Sequence, residues 1–147
     1  CVVEPEFDEK RLYFSLASAT LGRMCISGKI DRLNDQQNKI VDEAIAFYKA
    51  AVPTIRRGKS RKITPEISNT MAPKGYQVMT RQGDDGDLLI TLHTFENAPK
   101  SISIPLPKKG LSLKKCLGEK SLRIKLSKDS LTLKGLTDFQ GAAFLLG

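Results

Sequence analysis

The sequence predicts an α+β chain. A helix–strand–helix segment, expected to be the tail of a larger α/β fold, is followed by an all-β antiparallel sandwich. Three observations carry this. Residues 21–51, LGRMCISGKIDRLNDQQNKIVDEAIAFYKAA, read as a short apolar strand, a turn and a capped amphipathic helix. That is half of a βα unit, and such a strand needs parallel neighbours joined by helix-sized crossovers. The residues before 21 leave no room for those neighbours. After about residue 75 the hydrophobic period switches to two.

The elements follow in order. Residues 8–20, DEKRLYFSLASAT, read as a helix with Asp8 as N-cap and Leu12, Leu16 and Ala19 on one face, ended by Gly22. Residues 23–27 form the strand, centred on Met24, Cys25 and Ile26, with a turn at Ser27-Gly28. Asn34 caps the second helix and Gln37 completes a capping box. Val41, Ile45, Tyr48 and Val52 continue a wide apolar stripe. Pro53 is expected to stop it. Residues 56–74 read as a basic linker containing Pro65 and Pro73, which divides 1–55 from a sandwich over 75–147. Strands are expected at 75–81, 88–95, 101–106, 111–117, 122–126, 130–133 and 142–146, with the GDDG of residues 83–86 as a hairpin turn. Their spacing is that of a β-sandwich.

Composition narrows the function classes. A 40% hydrophobic content suits a globular core. Cys1, Cys25 and Cys116 are an odd number without ligand spacing, which argues against a disulfide framework or zinc site. Free, mostly buried thiols are expected, hence a reducing, cytoplasmic setting. The net charge of +8 divides evenly, +4 from residues 1–74 and +4 from 75–147. The RRGKSRK run of residues 56–62 has no interleaved aromatics on which bases could stack, so no nucleic-acid partner is expected. No membrane partner is expected either, because the apolar stretches are far shorter than a span.

Candidate chemistry is sparse. His93, the one histidine, lies with Thr91 on the more polar face of its strand and reads as structural or exposed. Asp84, Asp85 and Asp87 lack the alternation of a calcium loop and read as a turn. Lys114, Lys115, Arg123, Lys125 and Lys128 read as a solvated sheet face. Tyr76, Phe95, Phe139 and Phe144 are explicable as core or turn packing. No metal or cofactor is implied.

The residues Leu33-Asn34-Asp35-Gln36-Gln37 and Ala46-Phe47-Tyr48-Lys49 give the segment its resemblance. It resembles the end of the barrel in bacterial α-galactosidases of glycoside hydrolase family 36. RLYFSLASATLG is similar to the seventh helix of that barrel, and the stretch ending in DFQGAAFLLG to the C-terminal antiparallel domain. The resemblance implies that residues 1–55 are the end of a (β/α)8 barrel. It also implies that the parent is a retaining enzyme acting on terminal α-galactosides, with its catalytic Asp pair on earlier strands. No catalytic residue then falls in this chain, which alone would be inactive. Cys25, Ser27 and Gly28 would approach the rim of the sugar pocket, because barrel active sites lie at the carboxyl face. The competing reading makes Met24 and Ile26 packing and Ser27-Gly28 a turn. A carbohydrate-binding sandwich is the alternative function, and a basic nucleic-acid-binding domain acting through residues 56–62 is a third and less favoured one. The two apolar helices are expected to fold back on the sandwich or to join a second copy in a homo-oligomer.

Overall fold

The computed structural model describes residues 1–64, 67 and 69–147. In chain order the elements are β1 (Val2–Val3), α1 (Glu9–Ala19), β2 (Ser27–Gly28), a 3-10 turn (Ile30–Arg32), α2 (Asp35–Arg57), β3 (Lys59–Lys62), β4 (Tyr76–Gln82), β5 (Leu88–Thr94), β6 (Ser101–Pro105), β7 (Leu113–Leu117), β8 (Arg123–Leu126), β9 (Ser130–Lys134) and β10 (Gly141–Leu146). β1 and β2 pair in parallel. An antiparallel sheet of order β3-β4-β5-β10-β7 faces a three-stranded antiparallel sheet of order β6-β9-β8. Among the described residues the fold is thus α+β: two α-helices and mostly antiparallel sheets.

Strand alternation explains the layering. Every residue of β5 is buried, so both faces of the larger sheet are covered. Leu88, Ile90 and Leu92 join Phe144, Leu131 and Leu133 in a core between the sheets. Leu89, Ala143, Leu145 and Leu117 face the other way, into a core with Leu12, Leu16, Ile40 and Phe47 of the helices. The helices therefore fold back on the sheet. Gly141 permits the approach of α1: a Cβ there would lie 2.4 Å from Phe14 Cα and 2.9 Å from the Tyr13 carbonyl oxygen.

Both helix starts follow local chemistry. Asp8 accepts from the Arg11 amide at 2.8 Å. Asn34 and Gln37 close their capping box with two bonds of 2.9 Å. The Gln37 side-chain amide also donates to the Pro5 and Phe7 carbonyls, each at 2.9 Å. The cap thereby anchors the loop between β1 and α1.

Four expectations are corrected. Pro53 lies inside α2, which runs on to Arg57. Pro53 is exposed while Thr54 and Ile55 are buried, so their burial offsets a proline cost of about 3 kcal/mol. The Ile55 carbonyl, left without an intrahelical donor where α2 ends, accepts from Arg81 Nη1 at 2.7 Å. The basic run is not a linker: Arg56 and Arg57 end α2, and Lys59–Lys62 is an edge strand paired with β4. Backbone bonds form that strand without an apolar face, and its charges suit an edge. Pro65 lies outside the described residues. Of residues 23–27, only Ser27 lies in a ladder, because β1 reaches no further than Ser27 and Gly28. The thiols are not mostly buried: Cys25 and Cys116 are exposed and Cys1 is half-buried.

Candidate functional site

Cys25, Ser27 and Gly28 lie where the N-terminal strands meet. The Ser27 amide donates to the Cys1 carbonyl at 3.0 Å. Gly28 has φ +111°, and a Cβ there would come within 2.0 Å of the Val3 carbonyl oxygen, so this pairing requires glycine. Cys25 is exposed, and its carbonyl accepts from the Cys1 backbone nitrogen. Lys29 Nζ, just beyond, lies 3.4 Å from Glu4 and 4.0 Å from Glu6, joining the loops that follow β1 and β2. The structure thus brings Ser27 and Gly28 against β1. All three residues lie outside the two clefts described below.

His93 is buried against α1. Its Nε2 lies 2.9 Å from Ser18 Oγ and 3.3 Å from the Phe14 carbonyl, and the Phe14 ring packs edge-on at 4.7 Å. Ser18 Oγ donates its proton to that same carbonyl at 3.1 Å. The consistent assignment makes Nε2–H a donor, so Ser18 is not held as an activated nucleophile. Burial lowers the His93 pKa from 6.5, with the Phe14 carbonyl opposing. The unfolded chain then takes up this proton at higher pH than the folded chain. Its contribution to stability is complete above about pH 6.5 and is lost as the pH falls towards the lower folded value. Urea midpoints at pH 7.5 and 5.5 should differ more in the parent than in His93→Gln. An equal difference in the two proteins contradicts this assignment.

Two clefts have chemically distinct linings. One, ≈ 540 Å³, lies beside β3 and includes Lys59, Arg61, Asp84 and Leu106. No aromatic side chain lines it. The other, ≈ 440 Å³, is lined by Glu6, Asp8, Lys10, Arg11, Phe14 and Phe139. Phe139 is 53% exposed, where core or turn packing was expected, and has φ +56°. A bulky residue in that conformation is a backbone outlier. Hydrogen bonds hold the turn: Asp138 accepts from the Ala98 amide at 2.8 Å, and the Gln140 amide donates to Thr94 Oγ1 at 2.7 Å. The Asp-Phe turn was the available sequence signal; the exposure of the ring was not.

Among the described residues, no three His, Cys, Asp or Glu side chains are grouped to hold a metal ion, and no helix is long and apolar enough to cross a membrane. Asp87 instead pairs with Lys114, at 2.6 and 2.8 Å.

The fold is one found in glycoside hydrolases. A provisionally assigned α-galactosidase from Bacteroides fragilis is similar over 96% of this chain, with a TM-score of 0.59 and 12% identity. An Anoxybacillus α-amylase is similar over 94%, with a TM-score of 0.53 and 12% identity. The chain spans 29% and 32% of their respective lengths. At this identity the likeness establishes the fold. No family model and no curated protein matches the chain.

Proposed function

We propose that this chain is the C-terminal portion of an α-galactosidase-like glycoside hydrolase. It would contribute the end of a (β/α)8 barrel and a sandwich whose role is structural. The observation that carries this reading is the β1–α1–β2 unit. Two short parallel strands joined by a helix, and followed by α2, sit directly against an antiparallel sandwich. Parallel pairing with helical crossovers is the barrel pattern. Two glycoside hydrolases with this fold over most of the chain support it. The likeness of residues 33–37 and 46–49 to family 36 favours α-galactosides.

Retaining hydrolysis needs two carboxyl groups about 5 Å apart across the scissile bond. On this reading other barrel strands supply them, and Cys25, Ser27 and Gly28 approach the rim of the sugar pocket. The purified chain is therefore expected to leave nitrophenyl α-galactoside intact. A longer product of the same gene, carrying further barrel strands, is expected to cleave it with retention. Hydrolysis by the isolated chain overturns the assignment of catalysis elsewhere. A longer product that cleaves only α-glucosides overturns the galactosidase reading.

A further inference from the structure

We propose that the cleft between α1 and the turn of Phe139 binds a neutral hexopyranose. A pyranose presents a C–H face and a rim of hydroxyls. Its recognition calls for an apolar ring surface bordered by both donors and acceptors. This cleft supplies both. Phe139 and Phe14 provide aromatic surface, and Phe139 is 53% exposed. Glu6 and Asp8 offer acceptors, while Lys10 and Arg11 offer donors. Two acids against two bases leave the lining without net charge, which favours a neutral ligand over an acidic or basic one.

The site is held in place from both sides. Arg11 stacks over Phe7 with 4.0 Å from its guanidinium carbon to the ring centroid, and Lys10 Nζ reaches the Asp138 carbonyl at 3.4 Å. The latter contact ties α1 to the aromatic turn. Gln140, next to Phe139, is buried, and its side-chain amide donates to Glu119 at 2.7 Å. A phenylalanine held at positive φ, with its ring in solvent, costs free energy that a buried or turn-packing role does not explain. The ≈ 440 Å³ volume lies within the range of small-molecule sites.

The inference does not depend on the hydrolase reading, because binding is measured on this chain without catalysis. Amide spectra of the full chain are recorded during titration with raffinose, maltotriose or sodium glucuronate. Raffinose and maltotriose carry terminal α-galactosyl and α-glucosyl units. At least one neutral sugar is expected to move the amides of residues 6–14 and 137–141 saturably. Phe139→Ala should weaken binding at least tenfold while leaving the melting temperature nearly unchanged, because the ring is exposed. Phe139→Tyr should retain it within about threefold, since an aromatic face remains. Absence of saturable shifts with either neutral sugar overturns the proposal. So does Phe139→Ala binding equal to the parent, or glucuronate binding as tightly as the neutral sugars.

Discussion

Gly141→Ala is expected to lower the melting temperature by about 10 °C, the equivalent of about 3 kcal/mol for a domain of this size. Two effects oppose one another. Removing a strand glycine normally helps by about 0.5–1 kcal/mol through the unfolded chain. Against it stands a methyl group 2.4 Å from Phe14 Cα and 2.9 Å from the Tyr13 carbonyl oxygen. Those atoms are helix backbone, so relief requires moving α1 away from β10. That movement loosens Leu12 and Leu16 in the shared core and disturbs the Ser18–His93 contact. The steric term is larger, and the sign is destabilising. Gly141→Val should exceed it. A thermal melt by circular dichroism checks the value; a shift within 1 °C would show that the helix can retreat without cost.

Phe47→Ala tests whether the helices and sandwich unfold together. Phe47 is 2% exposed, in the core that α1 and α2 share with Leu89, Leu117, Ala143 and Leu145. Truncating a buried phenylalanine costs about 3–5 kcal/mol. With a urea dependence of about 2 kcal/mol per molar, the midpoint should fall by about 2 M. Helix and sheet signals are expected to fall together, because this core includes both faces of the helix–sheet contact. Loss of helix signal at lower urea than sheet signal would instead divide the chain into independently unfolding parts.

The features most legible in the sequence were governed by nearby residues. The Asn34–Gln37 cap follows from two side chains three residues apart, and the alternation of Leu88, Ile90 and Leu92 identified one face of β5. The GDDG turn between β4 and β5 was likewise a local signal. Three features required distant partners. α2 passes Pro53 because Thr54 and Ile55 are buried, and Arg81 satisfies the Ile55 carbonyl where the helix ends. β3 has no apolar pattern and is formed through β4. The candidate sugar cleft joins α1 to a turn more than a hundred residues later, a juxtaposition that no local spacing records.

Arg81 bears on whether the sandwich can be transplanted by itself. Its Nη1 reaches the Ile55 carbonyl at 2.7 Å, its Nη2 the Leu21 carbonyl at 2.9 Å, and its Nε the Ser60 hydroxyl at 2.7 Å. One planar guanidinium thus serves the end of α2, the segment after α1 and the edge strand; lysine could not supply the same directed set. All three partners precede residue 75. A cut at that position would separate Arg81 from them and uncover Leu89, Ala143 and Leu145. The natural portable unit therefore begins with the helices, and grafting the sandwich onto another protein means carrying both of them with it.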